Sequence, residues 1–75
     1  MVTVIEWHLS VRGAPLDALS RVVAREPYWF LPDGLAGPWA TYWYATEREA
    51  LDDAALVALA GWETHVTSYE RGNGE

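Results

Sequence analysis

Apolar and mixed positions alternate along the first dozen residues. Thr3, Ile5, Trp7, Leu9 and Val11 fall on one side of an extended chain, and Val4, Glu6, His8, Ser10 and Arg12 on the other. A period of two is that of a half-buried β-strand. Residues 2–12 are therefore predicted as a strand with the first set toward the core. Gly13-Ala14-Pro15 ends it, and proline suits a first helical turn. The period then lengthens. Leu16, Leu19, Val22 and Val23 share one stripe of a helix over 16–26. Asp17 opens that helix and Arg25 closes it, the signs its dipole favours. Pro27 stops it.

Residues 28–31 form a short aromatic strand. Pro32-Asp33-Gly34 begins a turn, Gly37-Pro38 closes it, and a second strand follows over 39–46. Trp39, Thr41 and Trp43 lie on one side of that strand, and Ala40, Tyr42 and Tyr44 on the other. Thr46 and Glu49 have the spacing of a capping box, so a second helix is predicted over 47–60. Its expected buried stripe is Leu51, Ala55, Ala58, Leu59 and Trp62, and Gly61 is its expected stop. A last strand over 64–71 sets Thr64, Val66 and Ser68 against His65, Thr67 and Tyr69. Residues 1–71 read as one domain and 72–75 as a flexible tail.

The predicted order is βαββαβ. Two right-handed crossovers place both helices on one face of a four-stranded antiparallel sheet, with the first and third strands central. This α+β two-layer sandwich resembles the ferredoxin-like arrangement, and the resemblance covers nearly the whole chain. It is architectural only. A fold that hosts many unrelated activities implies none of them.

Helices on one side leave the other face of the sheet open. Alternation assigns Ile5, Trp7, Leu9, Trp29, Leu31, Trp43 and Val66 to the helix side. The open side then receives Val4, Glu6, His8 and Ser10, with Tyr28, Phe30, Tyr42, Tyr44, His65, Thr67 and Tyr69. An exposed patch so rich in Tyr and Phe has the size and character of a binding surface. The expected partner is another protein chain, either an identical copy or a different one.

Composition narrows the alternatives. Seventy-five residues with 51% apolar side chains make one small globular domain. There is no cysteine, which removes disulfides and thiolate zinc sites. The opening residues carry Glu6 and no basic segment, unlike a signal peptide, and no apolar run spans a bilayer. These features predict a soluble, cytoplasmic protein with no membrane role. The net charge of −6, with no lysine, argues against nucleic acid and permits a basic partner. Arginine in place of lysine also suggests a GC-rich bacterial or phage source.

Glu6-Trp7-His8 and Glu63-Thr64-His65 repeat one spacing. Residues two apart on a strand share a face, so both histidines are expected on the open side, opposite or one diagonal step apart. Glu6, His8 and His65 are thus the candidate metal ligands or acid–base groups. Two-residue spacings are common, and no HExxH pair, glycine-rich phosphate loop or serine elbow accompanies them. No cofactor and no catalytic residue are assigned.

Two functions fit these features. One is a non-enzymatic interaction module docking through the aromatic face. In a variant, the acidic start of the second helix (Glu47, Glu49, Asp52 and Asp53) engages a basic surface normally occupied by nucleic acid, as a small acidic inhibitor or adaptor would. The other is a dimeric ligand-binding protein or enzyme whose paired sheet faces enclose a pocket lined by His8 and His65.

Overall fold

The computed structural model describes residues 3–34 and 37–72. Its elements run β1 (Thr3–Arg12), α1 (Leu16–Leu19), β2 (Trp29–Gly34), β3 (Gly37–Tyr44), α2 (Glu47–Leu59) and β4 (Glu63–Gly72). The four strands form one sheet in the order β2-β3-β1-β4, and every neighbouring pair is antiparallel. The class is α+β. Leu35 and Ala36, at the tip of the expected hairpin, lie outside the described residues, as does the expected tail beyond Gly72.

One side of the sheet is packed. Leu9 and Val11 of β1, with Ala40, Tyr42 and Tyr44 of β3, meet Leu19 of α1, Ala50 and Val57 of α2, and the loop residues Ala14 and Val23 in one buried cluster. Trp7, Phe30 and Val66 pack against its margin. The strand register enforces this grouping, because residues directly opposite share a face. Leu9 faces Tyr42 on one side and Val66 on the other, and Val11 faces Ala40. Ile5, expected in the core, is half-exposed. It sits opposite Glu70, toward the end of β1 away from the buried cluster.

α1 is shorter than its apolar stripe predicts. Past Ser20 its hydrogen bonds mix three- and four-residue spacing: Arg21 N–H donates to Ala18, Val22 N–H to Leu19, and Val23 N–H also to Leu19. The Ser20 hydroxyl folds back onto the Asp17 carbonyl, 2.9 Å away. Such back-bonding and two β-branched valines in succession both weaken a helix. The chain continues as turns that still bury Leu19 and Val23. Arg25, expected in a last helical turn, instead reaches β3.

α2 begins as predicted. The Thr46 hydroxyl accepts from Glu49 N–H at 3.3 Å and donates to the Glu49 carboxylate at 3.1 Å. Its buried stripe is rotated from the expected one. Ala50 and Val57 are enclosed and Ala54 packs at the edge, whereas Leu51 is half-exposed and Leu59 is 85% exposed. The sheet explains the rotation. Two tyrosines rise from β3 toward the helix, so the helix presents alanines where leucines would collide.

The end of α2 is a Schellman motif: Gly61 N–H donates to Ala58, Trp62 N–H donates to Val57, and Gly61 has φ +98°. A Cβ at Gly61 would meet nothing within 4 Å. Gly61→Ala therefore isolates backbone strain, and we expect it to destabilise the domain by about 1 kcal/mol, read as a lower urea midpoint. Gly34 answers to a different constraint. Its Cβ would fall 2.7 Å from the Gly37 carbonyl oxygen, where β2 and β3 rejoin after a register shift past Leu31.

Candidate interaction face

The uncovered side of the sheet is aromatic, but with tryptophans in place of tyrosines. Trp29 and Leu31 of β2 and Trp39 and Trp43 of β3 point away from the helices. The register joins them: Trp29 lies opposite Thr41, Leu31 opposite Trp39, and Trp43 opposite His8. Trp29 meets Trp39 edge-on with ring centroids 6.1 Å apart. The Arg12 guanidinium caps Trp39 at 4.9 Å from the ring centroid, a cation–π contact. Trp43 remains 49% exposed and Trp29 46%.

This corrects the assignment of both strands of the β2–β3 hairpin. Tyr42 and Tyr44, expected on the open face, are 0% and 1% exposed beneath the helices, and Phe30 is turned inward beside Ala40. The hairpin inverts as a unit, since pairing couples the parity of β2 to that of β3. Polar partners decide which side wins. The Tyr44 hydroxyl donates to the Asp53 carboxylate of α2 at 2.7 Å. Arg25 stands 4.2 Å over the Tyr44 ring and donates to the Trp43 carbonyl at 3.1 Å. An indole in that place could donate but offers no such match to a half-buried carboxylate under a guanidinium. Ala40 and Asp53 were the legible signals: a small residue where a helix approaches, and an acid on the inner side of α2 waiting for a donor.

β1 and β4 follow the expected parity. Val4, Glu6, His8 and Ser10 share the open face with His65, Thr67 and Tyr69. Tyr28, just before β2, borders a hollow of about 330 Å³ with Glu6, His8 and Trp43. Glu6 is only 8% exposed, and its Oε1 lies 3.5 Å from His8 Nε2. The His8 ring packs on Tyr69 with centroids 4.5 Å apart. His65 is opposite Ser10, one diagonal step from His8, and borders a separate hollow with Arg12 and Trp39. Among the described residues no three His, Asp or Glu side chains converge as a metal would require.

The acidic start of α2 divides. Glu47, Glu49 and Asp52 are exposed, and Asp52 pairs with Arg48 at 3.7 Å. Asp53 leaves the expected acidic surface, because it turns inward to Tyr44 and lies 3.9 Å from Arg25.

Burial raises the pKa of Tyr42 above its ordinary 10.0, and the nearby Asp53 charge adds to the effect. Burial raises Tyr44 further, with the Asp53 hydrogen bond and charge acting the same way and Arg25 opposing. Both phenols stay protonated in the folded chain where the unfolded chain would ionise. Their contribution is therefore intact below about pH 10 and lost as pH rises above it. The urea midpoint should hold steady up to about pH 9 and fall steeply beyond pH 10, and less steeply in Tyr44→Phe.

Among the described residues no helix is long and apolar enough to cross a membrane. Compared with known proteins, the chain matches no family model, no curated protein and no solved structure at a significant level.

Proposed function

We propose that this protein is a non-enzymatic interaction module of ferredoxin-like βαββαβ design, which docks another protein chain on its open sheet face. The fold reading is supported by the strand order and by β1 and β3 lying at the centre. The functional reading is carried by one observation: three tryptophans and a leucine gathered on an uncovered sheet. A face three strand spacings wide and up to ten residues long is on the order of 450 Å² before side-chain relief. Large rings at the centre of such a face are what interface hot spots are made of. The polar groups among them are of both signs, Glu6 and Glu63 against Arg12, so the acidity of the chain does not oppose a second copy. The partner is an identical chain or a different one. Acidity, small size and arginine-only basicity fit an adaptor or inhibitor acting in the cytoplasm of a bacterial or phage-infected cell.

A ligand site on the same face has the Glu6, His8, Tyr28 and Trp43 hollow in its favour, but His65 stands outside it.

Light scattering at high micromolar concentration, on wild type and on Trp29→Ser/Trp43→Ser, is the first test. Dimers lost in the variant support self-docking. If both are monomers, the two proteins serve as baits against host extract. A partner held by wild type and released by the variant then supports heterologous docking. Equal capture by both sinks the proposal.

A further inference from the structure

The helix side of the sheet has an opening that the interaction face does not use. α1 is a single turn, and the chain returns to β2 through residues 20–28 without further helix. Beneath that return lies a cavity of about 710 Å³, the size of a site for a ring-containing small molecule. Leu16, Pro27, Phe30 and the ring of Tyr42 give it apolar walls. The Tyr42 hydroxyl is fully buried and has no hydrogen-bond partner among the described residues. Buried hydroxyls are almost always paired, and one left unpaired next to a cavity marks a place where a guest group would be held.

Charge at the rim selects the guest. Asp17 and Glu26 border the cavity and are exposed. Arg25 also borders it, but its guanidinium is engaged by the Trp43 carbonyl, the Tyr44 ring and Asp53. The rim therefore presents two carboxylates and one committed cation. An anionic guest would face net repulsion and an amine net attraction.

We propose that this cavity binds a small aromatic amine carrying a hydrogen-bonding ring substituent. The ring lies between Leu16, Pro27 and Phe30, its polar substituent reaches the Tyr42 hydroxyl, and the ammonium stays at the rim beside Asp17 and Glu26. The Leu16 and Asp17 side chains at the mouth are exposed, which leaves them room to turn aside as the guest enters.

Tyramine is the probe, with 4-ethylphenol as its uncharged counterpart and 3-(4-hydroxyphenyl)propionate as its anionic one. Amide chemical shifts of Phe30, Tyr42 and residues 16–26 report binding. Tyramine is expected to bind saturably, 4-ethylphenol several-fold more weakly, and the propionate not at all. Tyr42→Phe is expected to weaken tyramine about 5–10-fold, the loss of one hydrogen bond. The same change should raise the Tm by about 4 °C or more, since it removes an unpaired buried hydroxyl from a small domain. That gain keeps weak binding from being blamed on misfolding. Asp17→Asn/Glu26→Gln should bring tyramine down to the affinity of 4-ethylphenol. No saturable shift up to millimolar tyramine would overturn the proposal, and so would equal binding of the propionate or unchanged binding by Tyr42→Phe.

Discussion

Tyr44→Ala is expected to leave the chain largely unfolded at 25 °C, whereas Trp43→Ala one residue away folds almost as well as wild type. The two side chains point to opposite sides of β3. Tyr44 is enclosed, bonded to Asp53 and capped by Arg25. Truncating a buried aromatic side chain to alanine costs about 3–5 kcal/mol. The half-buried Asp53 carboxylate also loses its donor, which adds to that figure. A 75-residue domain has on the order of 4–11 kcal/mol in total, and small domains sit at the low end. The loss therefore takes most of the margin. Trp43 is half in water, so its truncation should change stability by about 1 kcal/mol or less. Urea titrations followed by far-UV circular dichroism measure both. A larger loss for Trp43→Ala than for Tyr44→Ala would mean that the sheet is turned the other way. Tyr44→Phe separates the ring from its hydroxyl, and about 1–2 kcal/mol should follow from the hydrogen bond alone.

The second large effect is on association. Trp29 and Trp43 are the most exposed of the described tryptophans on the open face, with Trp39 wedged between Trp29 and Arg12. A tryptophan at an interface centre contributes at least about 2 kcal/mol, or roughly 30-fold in Kd. Each Trp→Ser change is expected to weaken docking by that factor. The double variant should weaken it by less than the product, because the two side chains lie a diagonal step apart on the same face and share neighbours. Leu59→Ser on the outer side of α2 is the matched control. It removes an even more exposed apolar group from the opposite side of the molecule and should leave Kd unchanged. Isothermal titration against the partner, or the concentration dependence of mass for a self-dimer, gives the numbers. A control that weakens docking as much as Trp43→Ser would move the interface to α2.

Element types and their order were legible from local pattern. Alternation in β1 and β4, the Thr46–Glu49 capping box and the Gly61 stop depend on neighbours within a few residues, and each appears where periodicity and turn chemistry put it. The parity of β1 was legible for the same reason: Leu9 and Val11 are apolar and His8 and Ser10 are not, so only one facing is stable. In β3 the two sides read Trp-Thr-Trp and Ala-Tyr-Tyr, nearly equal in apolar content. Local pattern could say which residues share a face but not which face is inside.

Tertiary structure made that choice through groups distant in sequence. Asp53 offered Tyr44 an acceptor, Arg25 covered its ring, and Ala50 and Ala54 left space for both tyrosines, which sent the tryptophans outward. The phase of α2 was settled by the same packing. A strand's periodicity is a property of the chain itself, but its facing is a free-energy difference between two whole arrangements, and that difference exists only once the layers meet.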